Sequence, residues 1–318
     1  MPDGQAPAPL FSPQVQRVFL PAVKWEPDRI GSGMNNILDA LNVWPHPDGY
    51  VTIGQHTKID GETNAPTTQI FSGLAVQSGS SKYVYVAEAA KLRRYVSFSG
   101  TYTDLTGATT NGPWMMALFN GFVVTTGPTP QVQDSSGSSA FADLTGSPPA
   151  GRYIAVVRDF VIYAHLTTGE TGRVHWSALG DHTDWTPSAA TQCDFQDLAD
   201  EGPIQFIVGG EYGLIFFRSA IYRMAYIGPP AIFQFDKIYS GPGLGPNDGS
   251  ARYNAADRLG DDVYFVSFDG LSAVSGGQIV RPIGRHRISR WLNFQSRIGT
   301  ALIQVAADAG AHTGQQRR

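Results

Sequence analysis

The segment TYTDLTG (Thr101–Gly107) is answered further along the chain by FADLTG (Phe141–Gly146), so the tetrapeptide Asp104–Gly107 recurs in full at Asp143–Gly146. An aromatic residue stands shortly before each copy, Tyr102 and Phe141. The offset is about 40 residues, and several short strands fit between the copies, which is the spacing of propeller blades. Alternating apolar positions and turn signals extend the pattern to five units. These are Gln69–Gly107, Trp114–Gly146, Arg152–Thr186, Ile204–Ile238 and Tyr253–Gly284. In the third unit the fourth strand is expected at DWT (Asp184–Thr186). Hairpin turns are expected at Asn120-Gly121, Arg158-Asp159, Gly209-Gly210, Asp269-Gly270 and Gly276-Gly277, several of which supply the positive φ that two-residue loops demand.

The flanks read differently. Residues 1–66 are rich in proline, hold one short helical candidate (Met34–Leu41) and continue into NVWPHPDGYVTIG (Asn42–Gly54), with a turn at Asp48-Gly49. They are expected to form an extended N-terminal arm that docks on residues 67–290, while residues 291–318 read as an irregular tail. The expected fold is therefore all-β: a β-propeller of about five to seven four-stranded blades with an N-terminal arm.

Composition agrees. Only 16% of the 318 residues are charged, and six of the 27 acids are Glu and five of the 23 bases Lys. A chain that uses Asp and Arg in place of those helix formers, with 36 Gly and 21 Pro, is not built from exposed amphipathic helices. No apolar run approaches a membrane span, so no membrane anchoring is expected. The first residues lack the pattern of a secretory signal. Cys193 is the single cysteine, which excludes an internal disulfide and cysteine-rich zinc sites. A net charge of −4 argues against a nucleic-acid coat but suits a surface along which a polyanion slides.

His165, His175 and His182, with Asp181 and Asp184, lie near one another in sequence but lack metal-ligand spacing, so solvated positions are expected. GPGLGPNDG (Gly241–Gly249) lacks the GK[ST] of a phosphate loop and reads as an inter-blade connection, as does PSAATQCDFQDLADEG (Pro187–Gly202). Asp257, Asp261 and Asp262 miss calcium-loop spacing. Asp159, Asp262 and Asp269 are where a propeller glycosidase would carry carboxylates, yet turn chemistry alone explains an Asp there. Cys193 has no evident His partner. LIFFR (Leu214–Arg218) and VYFVSF (Val263–Phe268) read as buried strands. Arg281, Arg285, His286, Arg287 and Arg290 form a local basic run, read as solvated or partner-facing. No catalytic, cofactor-binding or metal-ligating residue is assigned. The residues alone suggest a binding or structural protein.

One resemblance is carried by particular residues. HWSALGDHTDW (His175–Trp185) resembles a signature of bacteriophage tail hub and nozzle proteins, among them the packaged-DNA stabilisation proteins of short-tailed phages. Ser177, Gly180, Asp181 and Trp185 match, and His182 stands where the signature has proline. Asp197–Met224, Val263–Ile279 and Asn42–Ile53 are similar to further stretches of that family, in the same order. The resemblance implies a virion structural subunit, made in the bacterial cytoplasm and housed in the tail. It implies a homo-oligomeric ring below the portal and adaptor proteins that extends the DNA channel and helps retain the packaged genome. Such a ring seats fibre, spike or needle proteins, passes DNA through its lumen without tight binding, and neither catalyses a reaction nor holds a cofactor. A glycan-binding or glycan-hydrolysing propeller is the alternative, and a propeller scaffold for protein partners is the third.

Overall fold

The computed structural model describes residues 43–46, 49–52, 66–68, 70–96, 101–107, 112, 114–135, 137, 139–241, 256–267 and 270–284. Two compact units divide the chain, residues 1–57 and 58–318. In the first, β1 (Val43–His46) and β2 (Gly49–Thr52) pair antiparallel, with Val43 opposite Thr52. The rest of the expected arm, including the helix at Met34–Leu41, lies outside the described residues apart from Pro66, as does the tail.

The second unit is a five-bladed β-propeller. Blade one comprises β3 (Ile70–Ser78), β4 (Ser81–Glu88), β5 (Leu92–Val96) and β6 (Tyr102–Asp104). Blade two comprises β7 (Met116–Phe119), β8 (Phe122–Thr125), β9 (Gln131–Asp134) and β10 (Ala142–Asp143). Blade three holds β11 (Gly151–Val157), β12 (Phe160–Leu166), β13 (Arg173–Trp176) and β14 (Asp194–Asp197). Blade four holds β15 (Phe206–Val208), β16 (Tyr212–Phe216), β17 (Ala220–Gly228) and β18 (Ile232–Ser240), and blade five β19 (Ala256–Leu259), β20 (Asp262–Ser267), β21 (Gly270–Ser275) and β22 (Ile279–Pro282). Each blade is an antiparallel meander in chain order. The first strands of successive blades touch, β3 on β7, β7 on β11, β11 on β15 and β15 on β19.

Local chemistry explains the hairpins. Asn120 and Gly121, at φ of 47° and 82°, supply the two positive-φ positions of a tight turn between β7 and β8. Between β11 and β12 Arg158 alone supplies a positive φ, 51°, a conformation that costs a non-glycine residue energy. Its amide is held by the Gly210 carbonyl of blade four at 2.9 Å.

One expectation is corrected. The fourth strand of blade three is not Asp184–Thr186 but β14, where Arg173 pairs with Asp197 and Trp176 with Asp194. The reason is that residues 177–193 close on themselves, through the bridges Ala178–Asp181 and Ser188–Cys193, and so cannot lie along β13. The long connection read at Pro187–Gly202 accordingly contains β14 and a 3-10 turn, Ala199–Glu201.

Blade faces are apolar and pack only on their neighbours. One buried cluster runs from blade two to blade five, and a second joins blades one and two through Tyr85, Leu92, Trp114 and Phe141. A seam rich in aromatic rings lies between blades three and four. There Phe160 and Trp176 each meet Phe233 with ring centroids 5.1 Å apart, and Tyr226 stands 5.6 Å from Phe160. Emptying the centre of this seam removes both transfer free energy and contacts. Phe233→Ala is expected to lower the free energy of unfolding by about 3–5 kcal/mol. Ile279→Ala, at a position 62% exposed, should change it by less than about 0.5 kcal/mol. Urea titrations of both variants check the contrast.

Candidate functional site

The four matched residues of the His175–Trp185 segment fall in one loop, between β13 and β14. Ser177 is fully buried and prolongs the ladder past Trp176. Its amide donates to the Val161 carbonyl at 2.9 Å, and its hydroxyl accepts from the Val161 amide at 3.1 Å while donating to the Ala178 carbonyl at 3.0 Å. Gly180 turns the chain at φ 72°. Its amide donates to the Asp159 carbonyl at 2.8 Å, and its own carbonyl accepts from the Asn120 amide nitrogen of blade two at 3.1 Å.

Asp181 caps the next turn, its Oδ1 accepting from the Thr183 amide at 2.7 Å and the Thr183 hydroxyl at 2.6 Å. Those bonds hold its carboxyl below the usual carboxylate range. Trp185 stacks flat on Tyr163, centroids 4.7 Å apart and planes 11° from parallel, and its Nε1 donates to the His182 carbonyl at 2.8 Å. His182, at the signature's proline position, lays its ring on Phe122 of blade two at 4.6 Å. The Thr183 carbonyl also abuts blade two, where a Cβ added to Gly146 would come within 1.6 Å of it. On the opposite side Gln192, at φ 62°, receives the Trp176 Nε1 hydrogen on its carbonyl and the Tyr226 hydroxyl of blade four on its Oε1. The loop is thus a clip that binds three blades together.

The three histidines do not converge. His165 hydrogen-bonds the Ile204 carbonyl through Nδ1 at 2.7 Å, His175 faces the Trp185 carbonyl at 3.2 Å, and His182 belongs to the seam with blade two. Burial is the leading cause that lowers the pKa of all three, so they are held neutral rather than solvated as expected. Among the described residues no group of three or more His, Cys, Asp or Glu is arranged to hold a metal. Cys193 is buried, with Sγ 3.2 Å from the Trp176 carbonyl and 3.9 Å from His175 Nε2, and burial beside Asp184 and Asp194 pushes its thiol up to about 12. It is not a poised nucleophile.

Of the candidate carboxylates, Asp262 pairs with Arg281 at 3.3 Å and Asp257 accepts from the Arg258 amide, while Asp159 and Asp261 engage through their backbone carbonyls, which accept from the Gly180 amide and the Tyr212 hydroxyl. Asp269, residues 242–249 of the glycine-rich loop, and Arg285, His286, Arg287 and Arg290 lie outside the described residues. Leu214–Phe217 are fully buried, as their composition implies.

Sequence reasoning missed two arrangements. The Asp-Leu pair has a third copy at Asp197-Leu198. Asp104, Asp143 and Asp197 sit opposite Arg93, Gln131 and Arg173 in their blades, and each following Leu amide donates to a carbonyl at or just before the third strand. The signal was there as DL, without the Thr-Gly that completes the other copies. The second is a buried ion pair in blade one between Arg93 and Glu88, and Glu88 Oε2 also accepts from the Thr68 amide at 3.1 Å and the Thr68 hydroxyl at 2.6 Å. Burial alone would raise the Glu88 pKa, but these bonds outweigh it and leave it lowered. A lone Glu carries no motif that would mark it.

The class defined by this architecture is the β-propeller. No family model matches the chain, and no curated protein matches it either. Among solved structures, the extracellular domain of the putative hybrid two-component system BT4673 from B. thetaiotaomicron is similar at 11% identity and TM-score 0.48, over 69% of this chain and 28% of that one. The Cps50 (Swd1) β-propeller domain of Myceliophteria thermophila is similar at 12% identity and TM-score 0.45, over 67% and 72%. BamB from Moraxella catarrhalis follows at 12% identity and TM-score 0.39, over 73% and 62%. The chain thus spans little more than a quarter of the length of the first of these, and likenesses this distant concern the fold alone.

Two outcomes follow from the clip. The depressed histidine pKa values mean that the unfolded chain takes up protons near pH 6.5 while the folded chain does so only at lower pH. Stability should therefore be full above about pH 6.5 and fall as pH drops below it. His182→Phe should flatten part of that slope in urea titrations at pH 7.5 and 5.5. The Cys193 thiol should resist a disulfide-exchange reagent in the native chain at pH 8 and titrate as one thiol in denaturant.

Proposed function

We propose that this chain is a structural subunit of a short-tailed bacteriophage tail, a hub or nozzle protein. On this reading it works in a homo-oligomeric ring beneath the portal and adaptor proteins, lines the path of the packaged DNA, and seats fibre, spike or needle proteins. The observation that carries the proposal is the clip. Ser177, Gly180, Asp181 and Trp185, the residues of the tail-protein signature, each hold a distinct and interlocking place in one loop. A signature whose every member is spent on architecture is what a wall protein needs. The subunit does its work by keeping its shape under load while DNA passes, and inter-blade fastening serves that end.

The weakly acidic balance, −4 overall, supports the same reading. A lumen that neutralised many phosphates would retain DNA in a strongly salt-dependent way, and passage requires the opposite. The test is mass spectrometry of purified particles from the source strain, followed by averaging of their tails by cryo-electron microscopy. The chain is expected among the virion proteins at a copy number matching a symmetric ring, with propeller-shaped density around the channel. Particles that contain every other tail protein and lack this one would overturn the proposal.

A further inference from the structure

The aromatic seam of blades three and four opens at its outer strands into a cleft of about 280 Å³. Pro187, Cys193 and Asp194 line it from blade three, and Pro229, Pro230 and Ile232 from blade four. Cys193 and Ile232 are buried, while the three prolines and Asp194 are exposed, so an apolar floor lies beneath a carboxylate that faces solvent. The direction of Asp194 follows from the ladder. It is paired with Trp176, whose ring meets Phe233 and Phe235 of blade four, and paired residues share a face of the sheet. The Asp194 side chain therefore stands on the side of blade three that meets blade four.

Negative charge in this cleft goes unbalanced. Asp194 Oδ1 accepts from the Phe195 amide at 2.9 Å, and Asp184 Oδ1 from the Thr186 amide at 3.1 Å. Among the described residues neither carboxylate forms an ion pair. Burial first, and then Asp184 and Asp194, raise the Cys193 pKa, so the field of both carboxylates reaches the floor. The basic side chains of β13 do not offset it. Arg173 gives two nitrogens to Asp197 at 2.7 and 2.8 Å, and burial holds His175 neutral. These facts sort the occupants. An anion would be repelled. A neutral apolar side chain would fill the floor but strip water from the Asp194 carboxylate without replacing it. A long cationic side chain lays its methylene stem on proline and isoleucine and its charged head on the carboxylate. The volume lies below the roughly 300–1,000 Å³ of small-molecule sites, which suits one side chain presented by a larger partner.

We propose that this cleft is a docking site for a basic segment of a partner protein, which inserts one lysine or arginine side chain between Asp194 and the wall formed by Pro229, Pro230 and Ile232. The inference rests on the cleft and not on the tail reading, so either can fail without the other. The test uses the full chain with isotope-labelled isoleucine methyl groups. The Ile232 signal, assigned through Ile232→Val, is followed by NMR at constant ionic strength. The probes are the N-acetyl amides of lysine, arginine, norleucine and glutamate. The lysine and arginine amides should shift the Ile232 signal saturably. The norleucine amide, with a similar stem and no charge, should bind about fivefold more weakly. Asp194→Asn should weaken the lysine amide by a similar factor, Asp194→Glu should keep most of the affinity, and Asp200→Asn, outside the cleft, should leave it unchanged. Equal affinity for the norleucine and lysine amides would overturn the proposal in favour of an apolar occupant, and tighter binding of the glutamate amide in favour of an anionic one. A lysine-amide affinity that Asp200→Asn weakens as much as Asp194→Asn would reduce it to general charge attraction and overturn it too. So would an Ile232 signal that no probe moves.

Discussion

A four-stranded blade has two apolar faces and no means of covering either by itself, and every other feature of this chain answers to that constraint. Blade three shows the condition fully met. Its first strand is buried at five of seven positions and its second at six of seven, and the rings of Tyr153, Phe160, Tyr163 and Trp176 are all buried there. The seams also contain hydrogen-bond donors that a dry interface cannot leave idle. Trp185 Nε1, Trp176 Nε1 and the Tyr226 hydroxyl all end on backbone or amide oxygens of the same loop. The clip between β13 and β14 is thus the polar counterpart of the aromatic seams, and the loop's shape follows from the donors that it has to satisfy.

Much of this was legible in the sequence, for reasons that can be named. LIFFR and FVIYAHL announce strands because apolar residues at consecutive positions require two covered faces. The DLTG repeat marks blade ends because its Asp lies opposite a third-strand donor and its Leu amide closes the ladder. The fourth strand of blade three was misread because Asp-Trp-Thr is locally a fair strand. The partner of β13 is chosen by pairs that no local window contains. Chief among them is the two-pronged bond of Arg173 to Asp197, at 2.7 and 2.8 Å.

The clip was half legible. Ser177, Gly180, Asp181 and Trp185 stood out as a pattern, but their roles depend on Asn120, Phe122, Gly146 and Tyr226, which lie in other blades. The histidines show how proximity in sequence misleads. Tyr163 is paired with His175, and simple alternation would bring His165 to the same face. His165 instead takes φ 56° and turns to the Ile204 carbonyl.

Two of the described arginines, Arg258 and Arg158, follow the same logic as the clip. Arg258 gives Nε to the Gly209 carbonyl at 2.8 Å and a terminal nitrogen to the Tyr212 carbonyl at 3.0 Å, and it lies over the Tyr212 ring that Arg223 covers from 5.1 Å. Arg158 spans Glu211 and the Tyr226 ring. Guanidinium groups held in this way tie blade to blade, and each phosphate contact they made would have to replace a fastening already in place. On the reading proposed for this chain that is a physical advantage. If the chain lines a DNA path as proposed, cations committed to carbonyls and rings would lend that wall rigidity without giving DNA a place to stop, and the side chains that hold the blades together would also keep the surface slippery.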